Sequence, residues 1–363
     1  MKEKEKACIS QAIPNGLVLR KDTENSASFQ MKPNIPIIDT ETIGADLERH
    51  SKELQAQPQQ AGIFRVRTAN QCLADARNQE IPRSLYHNLI FEGEISILFA
   101  DTGVGKSTLA VQIANEISRT DKVLYIDLEL SDKQFQKRYS EDYKNEFVFN
   151  DNLIRPDFIR PFTMPKEAEY NAYILESIRQ LVTTTGARIV IIDNMTKLVN
   201  SDTDTARVAK PLMDELNNLK FEHNLTLLLL EHTRKVGMSQ PISLNDLQGS
   251  KMKVNFADAV FAIGRSTKDS NLRYIKQLKC RSAEVVFDTE NVPIYEIVKE
   301  NSFLHFRLLN YDTEHNHLEQ ITIANKENRK EKAVELKAKG LSNVAIAKEF
   351  GVTEGAVRKW FNQ

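Results

Sequence analysis

The segment Ala100-Asp-Thr-Gly-Val-Gly-Lys-Ser107 gathers the residue types that can wrap a polyphosphate. Gly103 and Gly105 let successive main-chain N–H groups curl around phosphate oxygens with no Cβ in the way. Lys106 supplies a mobile cation for the β- and γ-phosphates, and the Ser107 hydroxyl is a ligand for Mg²⁺. A helix opening at Lys106 points its positive end at the same oxygens. The segment predicts a site for ATP and Mg²⁺ made by Asp101, Thr102, Gly103, Val104, Gly105, Lys106, Ser107 and Thr108. Its first residue, Ala100, departs from the strict pattern, which opens with Gly.

Phosphate binding alone does not hydrolyse anything; the chemistry also needs carboxylates. Asp193 closes the apolar run Arg188-Ile-Val-Ile-Ile-Asp193, where an acid can join Ser107 in holding Mg²⁺. The residue after it is Asn194, so a water-activating Glu does not follow directly. Glu129, after Tyr125-Ile-Asp-Leu128, is the candidate for that role, because a carboxylate there can orient and deprotonate the attacking water.

Strands and helices must alternate to bring these side chains together. Glu94–Ala100, Val123–Leu128, Arg188–Asp193, Leu225–Leu230 and Ala257–Ile263 read as strands, with helical spacing over Lys106–Arg119, Ala168–Val182 and Thr205–His223. Near-continuous apolar strands such as Arg188–Asp193 are buried on both faces, the mark of a mostly parallel sheet. Shorter strands are expected at Tyr274–Leu278, Val285–Phe287 and Leu304–Leu309. The fold class is therefore α/β.

Over Ile81–Leu309 the motifs resemble those of the RecA/DnaB superfamily, and more closely those of single-domain ATPases typified by plasmid-encoded RepA hexameric helicases. The resemblance rests on the phosphate loop, Leu128-Glu129, Asp193 and Leu230-Glu-His-Thr-Arg-Lys235. It implies a RecA-like P-loop NTPase core in which His232 senses the γ-phosphate. It also implies that Lys279 and Arg281, in Lys279-Cys280-Arg281, act on the ATP of a neighbouring subunit, which requires a ring or filament of copies, expected to be a homo-hexameric ring. Asp246-Leu-Gln-Gly-Ser250 and Phe256-Ala-Asp-Ala-Val260 resemble a DNA-facing loop and its following strand. Arg234, Lys235, Lys251 and Lys253 are then candidates for lining a DNA channel.

The chain ends differently. From Lys326 to Gln363, nine Lys/Arg stand against five Asp/Glu, a net of +4, in a chain whose formal net charge is −1. Three short helices are expected, with Gly340 and Gly351 as turns and Ser342 and Thr353 as caps. The wording Lys339-Gly-Leu-Ser-Asn-Val-Ala-Ile-Ala-Lys-Glu-Phe-Gly-Val-Thr-Glu-Gly-Ala-Val-Arg-Lys-Trp-Phe361 resembles helix-turn-helix units of resolvases and transposases. That resemblance implies a small all-α DNA-binding domain whose last helix enters the major groove, with Thr353, Glu354, Arg358 and Lys359 toward the DNA.

The 363 residues are thus read as a polar, disordered arm over 1–60, a RecA-like ATPase domain over 61–312, a linker over 313–327 and a helix-turn-helix domain over 328–363. Three scattered cysteines without metal-ligand spacing argue against a disulfide framework or a structural zinc site. No run approaches the roughly 18 apolar residues of a membrane span, and a cytoplasmic protein is expected. Together the parts suggest an oligomeric, DNA-dependent, helicase-like ATPase in the replication or mobilisation of a plasmid or mobile element. The alternative is a DNA-binding regulator whose assembly ATP controls, without strand separation.

Overall fold

The structure is a computed structural model that describes residues 60–157, 159, 169–198, 206–234, 237–248, 251–319, 323–350 and 352–361. The polar arm over 1–60 falls almost wholly outside the described residues, as do Lys235, Gly249 and Ser250. Contacts divide the chain into two units, Met1–Gln79 and Glu80–Gln363. In the first, β1 (Gln60–Ala61) pairs with β2 (Phe64–Arg65), and α1 (Ala69–Ala76) follows. Thr68 opens that helix with a capping box, its hydroxyl accepting from the Gln71 amide.

The second unit is built on one sheet. A short hairpin, β3 (Ser84–Tyr86) and β4 (Ile90–Phe91), leads into β5 (Ile95–Ala100), then α2 (Lys106–Ile117) and β6 (Val123–Asp127). Next come α3 (Asp132–Arg138), the β7–β8 hairpin (Ser140–Glu141 and Lys144–Glu146), β9 (Leu153–Ile154), α4 (Tyr170–Thr185) and β10 (Ile189–Asp193). The chain continues through α5 (Ala206–His223), β11 (Thr226–His232), α6 (Lys251–Phe256) and β12 (Ala259–Arg265). An antiparallel meander, β13 (Leu272–Lys279), β14 (Val292–Glu300) and β15 (Phe303–Asp312), completes the sheet.

The nine strands run in the order β15-β14-β13-β12-β5-β11-β10-β6-β9, and the pairings from β12 to β9 are all parallel. Two hydrophobic clusters cover its two faces. Ile95, Ile97 and Phe99 of β5 pack with α4 and α5, whereas Leu98 and Ala100 pack with α2. The same alternation holds for Val190 and Ile192 against Ile189 and Ile191, and for Leu227 and Leu229 against Leu228 and Leu230. Period-two side chains buried on both sides explain why these strands read as unbroken apolar runs. The architecture is an α/β core with a mostly parallel sheet.

Strand order decides which loops meet. Because β11 lies between β5 and β10, its last residue, His232, falls level with Ala100, and Asp193 falls level with Asp127 of β6. The ends of β5, β11, β10 and β6 therefore form one rim.

One expected strand is corrected. Val285–Phe287 is not a strand: the Val286 and Phe287 amides bond the Gln277 side chain instead of a ladder. The neighbour of β13 is Val292–Glu300, which pairs on its other side with the whole length of β15.

Beyond the sheet, α7 (Ile323–Ala338), α8 (Asn343–Phe350) and α9 (Glu354–Phe361) enclose their own small core of Ala333, Ile346, Ala347 and Val357, with Trp360 and Phe350 edge to face. Ser342 and Thr353 cap α8 and α9 through their hydroxyls.

Candidate functional site: a phosphate loop and its carboxylates

The loop between β5 and α2 has the backbone that the sequence demands. Gly103 and Gly105 take left-handed φ values of 72° and 112°. At Gly105 space forbids a side chain as well: an added Cβ would meet the Phe306 ring at 2.9 Å and Ile297 at 3.1 Å. Three side chains from outside the motif grip the loop. Arg265 donates to the Thr102 carbonyl at 2.9 Å, Arg273 to the Val104 carbonyl at 2.9 Å, and Phe306 closes on Gly105. Asp101 accepts from the Thr102 amide at 2.7 Å. Thr108 is buried in the first turn of α2.

Lys106 is buried, and its ammonium donates to the Ala100 carbonyl at 3.0 Å while standing 3.1 Å from His232 Nδ1. Burial lowers its pKa, an effect opposed by the charges of Asp193 and Glu129.

Asp193, 1% exposed, has its pKa pushed up to about 6, chiefly by burial, while the nearby Ser107 hydroxyl and the Tyr125 hydrogen bond pull the other way. Its Oδ1 atom is buried without a hydrogen-bond partner among the described residues. A buried carboxylate oxygen left open, next to the Ser107 hydroxyl, fits Mg²⁺ or its bound water, since hard cations take oxygen ligands. The peptide bond from Asp193 to Asn194 is cis.

Glu129 is held by two devices. Below it, Asp127 Oδ1 accepts from the amides of Glu129 at 3.0 Å and Leu130 at 2.9 Å, and Arg155 bonds the other oxygen at 3.2 Å. Above it, the Asn194 amide donates to the Glu129 carboxylate and also stands 3.1 Å from His232 Nε2. The neighbouring His232, 3.9 Å from Oε1, holds the Glu129 carboxyl below its usual pKa against the effect of burial. Glu129 is thus ionised at neutral pH and aimed across the rim at the phosphate loop.

The sheet brings Lys106, Ser107, Glu129, Asp193 and His232 together. It does not bring Lys279 and Arg281 to them. Lys279 lies opposite Val260 near the start of β12, whereas the phosphate loop follows the other end of the adjacent parallel strand. Val260 is level with Ile97, three residues short of Ala100, so strand rise puts Lys279 about 10 Å below the loop's level and two strands to its side, and the Asp258 end about 17 Å below it. In this chain Lys279 donates to the carbonyls of Val254 at 2.7 Å and Ala257 at 2.6 Å, closing α6, and Arg281 pairs with Asp258 at 2.8 Å.

Among the channel candidates, Lys253 is corrected. It is 1% exposed and forms a 2.5 Å ion pair with Glu231, which is equally buried, so it faces the core and no channel. In the C-terminal unit, Thr353 accepts from the Ala356 amide at 3.3 Å, Glu354 and Arg358 pair with each other at 2.8 Å, and Lys359 is exposed.

Sequence reading passed over Tyr125, Asp127, Asn194, Arg265, Arg273 and Phe306. Asp127 and Asn194 sit within two residues of motif positions and were findable by asking what holds Glu129. The other four have no local signal.

A family model described as an AAA domain matches residues 64–238, just under half of the chain. The chain is 23% identical over 277 residues to the DNA repair protein RadA of Synechocystis sp., covering 71% of this chain and 49% of that protein. It is 22% identical over 230 residues to the DNA repair protein RadA of Streptococcus pneumoniae, covering 60% and 48%. The chain spans about half the length of these curated relatives. Among solved structures, a KaiC-like protein from Pyrococcus horikoshii OT3 is 16% identical with a TM-score of 0.44, covering 61% of this chain and 94% of that one.

Proposed function

We propose that this chain is an ATP-hydrolysing, DNA-binding protein that works as an oligomeric DNA-stimulated ATPase of RepA-like, helicase-like type. The observation that carries the reading is the convergence of Lys106, Ser107, Glu129, Asp193 and His232 on one phosphate loop. Bound Mg²⁺, held by Ser107 and Asp193, would neutralise charge on the terminal phosphates. Lys106 swings from the Ala100 carbonyl to the β- and γ-phosphate oxygens. Glu129, kept ionised, orients a water and accepts its proton, while His232, released by Lys106, turns Nδ1 to the γ-phosphate.

Arg281 completes the site from a neighbouring copy in a ring, with Lys279 beside it. Two things support this: its distance from its own phosphate loop, and its place on a surface loop where the guanidinium can leave Asp258. DNA enters the reading by two routes. The relatives are named for DNA repair, and the C-terminal three-helix unit has a helix-turn-helix pattern with Arg358 and Lys359 on an exposed face of α9. A role in replication or mobilisation of a plasmid or mobile element fits the pairing of such a reader with an ATPase core.

The test is ATP turnover with no DNA, single-stranded DNA and duplex DNA, alongside mass photometry in ATP. Stimulation by single strands together with a ring-sized particle is expected. ATP-dependent duplex binding with turnover indifferent to DNA would instead favour the regulator. A chain that binds no ATP would sink both.

A further inference from the structure

Tyr125 and Asp193 stand on the adjacent parallel strands β6 and β10, where Tyr125 is level with Ile191 and Asp127 with Asp193. Across that seam the Tyr125 hydroxyl donates to Asp193 Oδ2 at 2.8 Å, and both residues are fully enclosed. The other carboxylate oxygen, Oδ1, has no partner among the described residues. An aspartate's last torsion is soft, so an untethered carboxylate samples a broad range of orientations. Tying one oxygen leaves the second with a single direction in which to meet a cation.

The Tyr125 ring belongs to the cluster on the α2 face of the sheet, with Val123, Ile189 and Ile191. Packing requires the ring alone; only the hydroxyl reaches Asp193. The two contributions are therefore separable by removing one oxygen atom.

We propose that Tyr125 is a positioning residue for metal binding: its hydroxyl fixes Asp193 so that Oδ1 faces the Mg²⁺ position beside Ser107. The inference rests on the nucleotide-site reading above and extends it to a residue outside the phosphate-loop motifs. Outer partners that orient a ligand commonly change metal affinity about tenfold or more when removed.

The experiment titrates Mn²⁺ into full-length protein with ADP, reading free Mn²⁺ by electron paramagnetic resonance. Tyr125→Phe is expected to weaken Mn²⁺ binding about tenfold, while fluorescent ADP in excess EDTA binds as it does to the wild type. In an Asp193→Asn background, Tyr125→Phe should add nothing, because the hydroxyl acts through that carboxylate. A Tyr125→Phe isotherm that superimposes on the wild type, or an additive double variant, overturns the proposal. So does loss of ADP binding in EDTA, which is what a packing role predicts. If the wild type itself binds no Mn²⁺–ADP, the nucleotide-site reading has failed, and the experiment reports that separately.

Discussion

The ammonium of Lys106 lies 3.1 Å from Nδ1 of His232, so the loop lysine and the residue closing β11 share one contact. The contact exists because β11 is inserted between the strand that carries the phosphate loop and the strand that carries Asp193. Moving the lysine away would release the imidazole from this contact.

Lys106 therefore has no substitute. Replacing it with Met keeps the aliphatic stem in its buried channel and removes only the cation. Steady-state phosphate release from Lys106→Met should fall at least about a hundredfold, with the melting temperature close to that of the wild type. Undiminished turnover would refute the site.

Glu129 belongs to the chemistry more than to the fold. Its side chain is partly exposed, and the turn beneath it is fixed by Asp127, not by its own carboxylate. Glu129→Gln should bind ATP normally and lose hydrolysis by roughly 10²- to 10⁴-fold, measured by single-turnover quench. Loss of nucleotide binding would show that its role is structural.

These two residues were legible in the sequence because each follows an apolar run long enough to be a strand, and because side chains at strand ends share one rim in a parallel sheet. What was hidden depends on chain returning from far away. Phe306 and Arg273 reach the phosphate loop only through the antiparallel meander, whose register no local pattern states. Val292–Glu300 was missed because Pro293 and three charged residues give it the composition of a loop; it is nonetheless a strand, with Pro293 opposite Tyr311. Lys253 misled in the opposite way. A charged side chain reads as solvated, and its pairing with Glu231 across the core is visible only in three dimensions.

Glu94 gives a prediction in pH. It is buried just before β5, with Oε1 bonded by Ser282 and Oε2 without a partner among the described residues, and burial raises its pKa. The folded state therefore holds this proton more tightly than the unfolded chain does. Stability from the protonated group is fully present below the unfolded pKa and is lost as pH rises through the folded value. Glu94→Gln, which stays neutral, should raise the melting temperature at pH 8 by roughly 2 °C, with the gain shrinking toward pH 4. A gain that is constant across that range, or a loss at pH 8, would contradict the burial argument.

Arg281 offers the sharpest test of assembly, because the position that would make it catalytic is not in its own subunit. In the isolated chain it pairs with Asp258 and bonds the Asn255 carbonyl, on a side chain that is half exposed. An exposed pair of this kind contributes at most about 1 kcal/mol, so Arg281→Ala should fold normally and bind ATP. If the guanidinium stabilises charge on a neighbour's departing phosphoryl group, Arg281→Ala alone should lose turnover by about 10³-fold. Glu129→Gln alone should be equally inactive. Mixed, the two variants form interfaces in which an intact Glu129 faces an intact Arg281, and turnover should return, peaking near an equal ratio. Mixtures that stay inactive at every ratio, while subunit exchange is confirmed by mass photometry of a tagged copy, would confine Arg281 to its pairing with Asp258.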